Sequence, residues 1–564
     1  MSFLQFARAQ CVKGLASEAE RQLLAQFEQQ PSPPSADFGL ALALCNLYLE
    51  RLDQTQACLD RVLLDHGDSS ELLQLAISWE QRRNEGSLSP LLRRRMQAFL
   101  NDLPIALQWL QLLIADLDGP AAIAWGQQLL QQWPEEISVH QALKALAWEL
   151  QDPALLAQLD LGSDAELHLW QGRNQWLLAD LINAEQQLRC CLSHGDASPD
   201  QQLQALHSLI FQLQPGRPEI LLTAFWDLFQ ASPDWAWCFG RALLAAGAWQ
   251  QGWQLYEQRY YSQDRAQILP PGFPLIGLEQ LGLERLVSSK APGGSHVLIY
   301  GEQGIGDTLM FASLLPQLQA ELQATGGSLQ LLLQPRLVPL LQSSFPAIKC
   351  AASFPAEQLG QLDLACSIGS LGQRYRPDAQ SFAGHSPHLQ LPDSTNQNWR
   401  KRLAALGPGL KVGIAWQGGG TLGNRRQRSL QLEQLLPLLK QSGLHWFNLQ
   451  YGHKPEELHA LKQNHGVEIL HFDGISTDLL ATAGLTAALD LVITVQQTAL
   501  HLAAGLGVPV WGLLPYRAEW RYGQGGSQMI WYPSVKLFRQ QQRGNWQGVI
   551  EQVSLQLLKR LEER

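Results

Sequence analysis

The spacing of apolar residues divides the chain into two parts. From residue 1 to about 262, Leu, Ala, Trp and Gln recur at three- and four-residue intervals, and runs of β-branched residues are nearly absent. That spacing predicts one amphipathic helix after another. From residue 296 onward, short apolar runs alternate with helical patterns, which is typical of an α/β fold.

The α/β part is itself predicted to consist of two halves. Residues 263–295 are linker-like, and a polar, proline-containing bridge runs from Pro392 to Gly409. We therefore expect domains at 1–262, 296–405 and 406–564, with a ligand-binding cleft between the last two. The predicted strands are 296–300, 328–334, 348–352, 362–368, 411–416, 445–450, 467–472, 489–495, 508–514 and 534–538, and a final amphipathic helix covers 544–564.

The helical part shows weak internal repetition. Residues 38–65 and 234–259 each resemble a tetratricopeptide helix pair, and the second pair turns at Gly247. The period elsewhere is irregular, so we predict a degenerate, tetratricopeptide-like (TPR-like) α-helical repeat domain. Such stacks build concave surfaces that hold proteins or peptides, although the same helices also suit a domain that only supports the rest of the chain.

Composition narrows the class of protein. The chain has 564 residues, 46% hydrophobic and 16% charged, which favours a folded protein of several domains. The net charge of −10 without a basic block disfavours a nucleic-acid partner. The N-terminus does not resemble a signal peptide, no apolar run predicts a transmembrane segment, and the scattered cysteines match no metal pattern. We expect a cytoplasmic protein with no bound metal.

The segment that follows the first predicted strand carries the first candidate site. Strand 296–300 runs into a turn containing Gly301, Gly304 and Gly306, and an apolar helical run follows. This strand–turn–helix pattern places the turn where ligands bind in doubly wound sheets, and its backbone N–H groups suit an anion. The glycine spacing matches neither a dinucleotide fingerprint nor a P-loop, so a tight turn without a ligand remains the alternative.

Asp307 is the residue of this turn whose side chain is able to act as a base. Asp307 and Thr308 stand where a helix N-cap is expected. A carboxylate at this place either caps the helix or faces the cleft as a general base.

Two further segments suit a diphosphate. In the first, strand 411–416 leads into a glycine-rich loop followed by three arginines, which suits phosphate or forms a solvated basic loop. In the second, strand 489–495 ends in a polar segment before a helix that Thr498 is expected to cap. His501 lies one turn into that helix and is either part of the site or a buried core residue. The predicted donor-binding residues are Gly304, Gly306, Gly418, Gly419, Arg425, Arg426, Arg428, Gln496, Gln497, Thr498 and His501.

Arginines and aromatic residues follow another predicted strand end. Residues 515–523 carry them on the side of the sheet where ligands bind, which suits a nucleobase or a sugar, or a packed loop. The candidates for nucleobase or sugar contacts are Trp416, Tyr451, Arg517, Trp520 and Arg521.

Three motifs together resemble a known family. They are Gly-Glu-Gln-Gly-Ile-Gly-Asp-Thr-Leu at 301–309, Gly-Trp-Gln-Leu-Tyr-Glu-Gln-Arg at 252–259 and Trp-Tyr-Pro-Ser-Val-Lys-Leu-Phe-Arg at 531–539. They are similar to bacterial tetratricopeptide proteins fused to a glycosyltransferase domain of the lipopolysaccharide heptosyltransferase type. The resemblance covers roughly residues 230–550.

The resemblance implies a GT-B fold, in which two Rossmann-like halves enclose a cleft. It implies a nucleotide-sugar on the second half, an acceptor on the first half and no bound metal. Asp307 falls on the aspartate that deprotonates the acceptor, and the phosphate-binding basic residue falls within 425–428. Gln496 stands where many relatives have Asp, a departure that bears on how the donor is held.

We therefore predict a metal-independent glycosyltransferase that moves a sugar from a nucleoside-diphosphate sugar, UDP or GDP above all, to a protein or glycan acceptor. One alternative is a non-catalytic TPR interaction scaffold with a degenerate transferase-like domain. Another is a GT-B-shaped sugar epimerase.

Overall fold

The computed structural model describes most of the chain beyond residue 102. The continuous ranges are 103–115, 119–213, 218–230, 232–262, 294–355, 361–384, 387–419, 427–452, 455–475 and 478–563. Shorter pieces are described among the first 58 residues, together with positions 358 and 425. Most of the predicted linker, Arg426 and much of the predicted helix pair at 38–65 lie outside the described residues.

The chain divides into two compact units, residues 1–161 and residues 162–564 without the short segment 421–423. The division differs from the predicted boundary at 262, because helices of the predicted repeat domain belong to the same unit as the α/β halves. Within the described residues of the first unit, the helices are α1 Ala36–Tyr48, α2 Leu103–Ala115, α3 Gly119–Gln132, α4 Ile137–Leu150 and α5 Pro153–Leu156.

Helices of the first unit pack as neighbouring pairs. Trp125 of α3 donates its indole N–H to the carbonyl of Ala106 in α2, at 3.0 Å. Gln151 ends α4 in the left-handed conformation, with φ 55°, and Asp152 caps α5 by accepting the N–H groups of its second and third residues.

The described residues at the start of the second unit form seven helices. They are α6 Asp164–Leu177, α7 Leu181–Ser193, α8 Pro199–Ser208, α9 Pro218–Ala224, α10 Trp226–Gln230, α11 Pro233–Ala246 and α12 Trp249–Tyr256. A π turn, Leu209–Leu213, follows α8, and a 3₁₀ turn, Glu257–Tyr261, follows α12. The turn predicted at Gly247 is confirmed, since this residue ends α11 with φ 85°.

The first α/β half contains four parallel strands in the order β3–β2–β1–β4. Its strands are β1 His296–Tyr300, β2 Ser328–Leu332, β3 Lys349–Ala351 and β4 Leu364–Ser367. Its helices are α13 Ile305–Phe311, α14 Leu315–Ala324, α15 Val338–Ser344, α16 Leu371–Tyr375 and α17 Asp393–Ala404.

The second α/β half contains seven strands in the order β10–β11–β9–β8–β5–β6–β7, parallel except for the β10–β11 pair. Its strands are β5 Leu410–Ala415, β6 Leu444–Asn448, β7 Ile469–Leu470, β8 Leu491–Val495, β9 Val510–Leu514, β10 Gln528–Met529 and β11 Tyr532–Arg539. Its helices are α18 Leu436–Leu439, α19 Pro455–His465, α20 Leu479–Ala487, α21 Thr498–Gly505 and α22 Gln547–Glu562. All ten predicted strands are confirmed, and β10 was missed because two residues leave no pattern.

One hydrophobic core joins helix α12 to both α/β halves. It contains Trp253 and Tyr256 of α12, Phe311 of α13, Leu500 of α21 and Trp531, all buried. Gly372 of α16 makes this packing possible, since a Cβ there would lie 2.4 Å from the Trp253 ring. Helix α12 is therefore a structural part of the α/β region and not only the last helix of a repeat series.

Candidate functional site

Two strand-to-helix turns, one from each half, meet in the structure. Helix α13 follows β1 and helix α21 follows β8, and the two helices pack together at Gly306. A Cβ on Gly306 would lie 3.0 Å from Cδ2 of His501 and 3.5 Å from Cα of Thr498. The carboxyl ends of the two sheets, where ligands bind in α/β proteins, therefore face each other.

The turn after β1 differs in detail from its prediction. Gly304 is the residue before helix α13, so Asp307 is the third helical residue and does not stand at the N-cap. One Asp307 carboxylate oxygen accepts the Gly304 N–H at 3.3 Å, which satisfies a free amide of the helix end. Gln303 has φ 56°, a left-handed conformation that is uncommon for a residue with a side chain.

A buried ion-pair network holds this turn from behind. Arg259, in the 3₁₀ turn after α12, donates from Nε and Nη2 to the two carboxylate oxygens of Glu302, at 2.9 and 3.1 Å. Both side chains are completely buried. Arg259 also donates to Glu257 at 2.6 Å and to the hydroxyls of Ser367 and Ser370 at 2.7 and 2.9 Å.

Arg259 remains charged because its partners compensate for its burial. Burial alone lowers the pKa of Arg259, but Glu257 and Glu302 together hold that pKa well above its ordinary value. A neighbouring hydrogen bond also stabilises the turn, since Gln303 donates from Nε2 to the Tyr256 hydroxyl at 2.8 Å. Helix α12 and its 3₁₀ extension thus fix the two residues at the start of the turn that carries Asp307.

Asp307 forms an ion pair with Arg521 of the second half. Arg521 lies in the 3₁₀ turn Trp520–Tyr522 after β9, and each side chain is 14% exposed. Burial raises the pKa of Asp307 above its ordinary value, and the positive charge of Arg521 only partly offsets this effect. The result is a carboxylate at the junction of the two halves whose basicity is increased by its surroundings.

Glu519 links this pair to a second arginine. Its carboxylate lies 3.6 Å from Nη1 of Arg428, and its backbone N–H donates to Oε1 of Gln496 at 3.0 Å. Burial would raise the pKa of Glu519, but Arg521, Arg241 and Arg428 together lower it. Carboxylates and guanidinium groups therefore alternate across the junction.

The glycine-rich loop after β5 brings Arg428 to this cluster. Gly418 donates its N–H to the Ser429 hydroxyl at 3.0 Å. The Arg428 side chain packs on Gly418, where a Cβ would lie 2.7 Å from Cγ of Arg428. Arg425 instead donates to the Gln417 side chain at 3.1 Å, and Gly419 is exposed. Of the two described arginines of this loop, Arg428 is the one that pairs with Glu519, two residues before Arg521.

The turn after β8 leads into a helix that carries a buried histidine. Gln497 is the residue before helix α21 and Thr498 is its first residue, so the predicted cap at Thr498 is wrong. His501 is 2% exposed, and its Nε2 lies 3.3 Å from the Tyr522 hydroxyl. Burial first, then Arg521 and His388, lower the pKa of His501 well below its ordinary value, so it is neutral. His501 is therefore a core residue at the helix contact.

The aromatic candidates divide into covered and exposed rings. Trp416 is fully buried in the core of the second half and donates its indole N–H to Glu457 at 3.0 Å. Trp520 is 5% exposed and packs among other aromatic rings. Because their faces are covered, neither ring offers a surface for stacking a nucleobase, contrary to our expectation. Tyr451, at 61% exposure, does offer one.

A cation–π contact joins the halves near the ends of β2 and β6. The guanidinium carbon of Arg336 lies 5.0 Å from the ring centre of Tyr451. Arg517 likewise lies over the neighbouring Tyr516 ring, at 4.6 Å, and burial lowers its pKa to about 10. Tyr451 and Arg517 therefore remain candidates for nucleobase or sugar contacts.

Four residues of the site were missed from the sequence. They are Arg259, Glu302, Arg336 and Glu519. Three of them, Arg259, Glu302 and Glu519, lie within segments that the sequence analysis singled out. The position of Arg336 was also informative, because ligand-facing residues follow parallel strands and Arg336 follows the strand predicted at 328–334. The pairing of Arg259 with Glu302 had none, since 42 residues separate them in the sequence.

The chain is similar to a curated protein and to solved structures. No family model matches the chain. Protein FlbA of Caulobacter vibrioides is 32% identical over 336 residues, which is 57% of this chain and 54% of FlbA. The chain therefore spans about half the length of this relative.

Solved glycosyltransferases are among the similar structures. A glycosyl transferase family 9 protein of Veillonella parvula has 10% identity and a TM-score of 0.34, covering 48% of this chain and 96% of its own. The ADP-heptose lipopolysaccharide heptosyltransferase II of E. coli has 15% identity and a TM-score of 0.35, covering 48% and 100%. The O-GlcNAc transferase of Thermobaculum terrenum has 12% identity and a TM-score of 0.32, covering 94% and 91%. At these scores the likeness does not decide the fold, which is defined by the strand order of the two sheets.

The described residues contain neither a metal-ligand cluster nor a membrane-spanning helix. No group of three or more His, Cys, Asp or Glu side chains there is arranged to hold a metal ion. No described helix is both long enough and apolar enough to cross a bilayer.

Proposed function

We propose that this protein is a GT-B glycosyltransferase that moves a sugar from a nucleoside-diphosphate sugar to a hydroxyl group of an acceptor. One observation carries the proposal. Asp307 from the first α/β half pairs with Arg521 from the second, and Glu519, two residues before Arg521, pairs with Arg428, where the carboxyl ends of the two sheets face each other. This arrangement supplies a base on one side and cations for a leaving diphosphate on the other.

The proposed step uses both sides of the junction. Asp307 takes the proton of the acceptor hydroxyl, and the hydroxyl oxygen forms a bond to the anomeric carbon of the donor sugar. The bond from that carbon to the diphosphate breaks, and its electron pair leaves with the phosphate oxygen. Guanidinium groups placed where this negative charge develops stabilise the transition state and carry most of the rate.

The electrostatics support Asp307 as the base. A carboxyl group with an ordinary pKa is a weak base at neutral pH, and a base is most effective when its pKa approaches the working pH. Burial raises the pKa of Asp307 in that direction. The raised value therefore favours proton transfer from the acceptor.

The second half would hold the donor. Arg428 and Arg521 would contact the diphosphate, with the N-terminal end of α21 adding positive partial charge nearby. Tyr451 and Arg517 are the remaining candidates for the nucleobase or sugar. UDP and GDP sugars are the donors we propose to test first, and the proposed chemistry needs no metal.

The helical part would serve the acceptor. We propose that its helix pairs form a TPR-like surface that holds a protein or a glycan while a hydroxyl of that acceptor reaches Asp307. A non-catalytic scaffold is the second candidate, favoured by one observation. Both carboxylates of the junction, Asp307 and Glu519, are already paired with arginines, as expected of an ion-pair network that serves only structure.

A thermal-shift screen tests the donor site. UDP, GDP, ADP and CMP, with their common sugars, are added to the purified protein and to the Arg428→Ala and Arg521→Ala variants. A ligand at 100 times its dissociation constant stabilises the folded state by about 2.7 kcal/mol. We expect one nucleoside diphosphate to raise the melting temperature of the unaltered protein and to raise it less in either variant.

The control is Lys462→Gln, which removes an exposed ion pair with Glu468 and should leave the shift unchanged. Hydrolysis or transfer of the matching sugar is then compared between the unaltered protein and Asp307→Asn. Loss of turnover with retained binding supports the base. Absence of a shift with every nucleotide would move the assignment to the scaffold.

A further inference from the structure

Arg521 is placed between two carboxylates that belong to different α/β halves. It forms an ion pair with Asp307 of the first half, and it is electrostatically coupled to Glu519, two residues away in its own loop. Glu519 in turn pairs with Arg428. The four side chains carry equal numbers of positive and negative charges, so an arriving anion changes the balance of the whole cluster.

The ion pair with Arg521 has a chemical consequence for a general base. A guanidinium group next to a carboxylate stabilises its charged form and so weakens it as a proton acceptor. The positive charge of Arg521 acts on Asp307 in this sense, against the effect of burial. As long as this pair is intact, Asp307 is a weaker base than its buried surroundings would otherwise make it.

Two arginine donors of the cluster have no acceptor. The Nε–H groups of Arg521 and Arg428 are buried and make no hydrogen bond in the described part of the chain. An unfilled buried donor is costly, and it is a common sign that a further group belongs at the site. The two arginines flank the same carboxylate, Glu519, so an oxyanion with several acceptor atoms suits both donors.

We infer that Arg521 exchanges partners during the reaction, leaving Asp307 for the diphosphate of the nucleotide-sugar, so that donor binding releases the base. The inference rests on the proposed function. It makes donor binding the first step and acceptor deprotonation the second. It also explains why a cation from the donor side pairs with a base on the acceptor side.

The exchange predicts proton uptake when a nucleoside diphosphate binds. Removing the positive charge from Asp307 and adding a negative one nearby both raise its affinity for a proton. Among the described residues, Asp307 is faced by one guanidinium group, Arg521, and its other charged and titratable neighbours there do not offset that change. These neighbours are Glu302, Glu519, Tyr256, Tyr522 and Tyr532.

The test is calorimetric titration of the full chain with UDP and with GDP, between pH 5 and 7. The titration is repeated in buffers that differ in ionisation enthalpy, which gives the number of protons taken up on binding. Subtracting the value for Asp307→Asn removes the contribution of the nucleotide's own phosphate. We expect the unaltered protein to take up more protons than Asp307→Asn at the acidic end of this range, with the difference falling toward pH 7, where Asp307 must be deprotonated to act as a base.

Arg521→Ala supplies the second arm. We expect its affinity for the diphosphate to fall about 10- to 100-fold, the effect of losing a charged hydrogen bond. The difference in proton uptake should also shrink, because Asp307 is already without its guanidinium partner. Melting curves without nucleotide verify that each variant is folded, and Lys462→Gln is the control for a lost surface charge.

The outcomes separate the inference from the proposed function. Binding with equal proton uptake in the unaltered protein and Asp307→Asn overturns the exchange but leaves the donor site in place. Unchanged affinity in Arg521→Ala overturns it as well. Failure of every nucleoside diphosphate to bind overturns the proposed function and the exchange together.

Discussion

The two turns that meet at the candidate site are held in different ways. The turn after β1 contains three glycines and a left-handed Gln303, and it is fixed from behind by the buried pair of Arg259 and Glu302. The turn after β8 has no glycine, and its neighbouring loop binds it through the Gln496 side chain. The first turn thus depends on a helix that is distant in sequence, whereas the second is secured within its own half.

This difference indicates which turn is sensitive to the helical region. A change in α12 or its 3₁₀ extension reaches the turn of Asp307 through the Arg259–Glu302 ion pair and the Gln303–Tyr256 hydrogen bond, without passing through the second half. The turn after β8 has no such connection among the contacts described above.

Breaking the buried ion pair should have the largest effect. Arg259→Met leaves Glu302 charged and buried without its main partner, which costs about 3–5 kcal/mol of unfolding free energy. Urea unfolding of the full chain measures this loss. The double variant Arg259→Met/Glu302→Met should recover part of the stability, because only Glu257, which is 19% exposed, is then left without the guanidinium group. A double variant as unstable as the single one would show that the pair is not the main source of the effect.

Overpacking the contact between the two turns should lower the free energy of unfolding by a smaller amount. Gly306→Ala places a methyl group 3.0 Å from His501, an overpacking that costs about 1–3 kcal/mol. The matched control is Gly419→Ala, at an exposed glycine where a Cβ would have no neighbour within 4 Å. We expect the first variant alone to lower the melting temperature. Equal melting temperatures for the two variants would contradict the close helix contact.

Asp307 should make stability depend on pH. Its pKa is higher in the folded protein than its ordinary value of 3.8, so the folded state holds the proton more tightly than the unfolded chain. Stability is therefore lost as the pH rises from 3.8 through the folded pKa. Asp307→Asn lacks this loss and should melt at a higher temperature at pH 7, with the advantage disappearing toward pH 3.8. Melting curves across this range would contradict the raised pKa if the variant were the less stable protein at pH 7.

An exposed ion pair should contribute least. Arg189 and Glu185 lie one turn apart on α7, and their side chains are 55% and 49% exposed. Arg189→Gln should change the unfolding free energy by less than about 0.5 kcal/mol. Urea unfolding of Arg189→Gln and of Arg259→Met compares the stability lost with an exposed ion pair and with a buried one. A loss as large as that of Arg259→Met would show that burial does not explain the contrast.

The sequence by itself determined the elements of the α/β region. Apolar runs of four to eight residues between turn signals located ten strands, because burial in a parallel sheet demands continuous hydrophobicity. Strand ends then located the turn of Asp307 and the loops of Arg428 and Arg521, since ligand-facing segments follow parallel strands. These inferences need only local patterns.

Only the tertiary structure decided how those segments combine. Packing placed Asp307 against Arg521, buried Trp416 and Trp520, and joined Arg259 of the helical region to Glu302. Such pairs form between residues that are far apart in the chain, and local hydrophobic periodicity does not predict them. Whether a polar side chain faces a cleft or a buried partner is set by the elements that surround it, and for this reason the fold could be predicted further than the site.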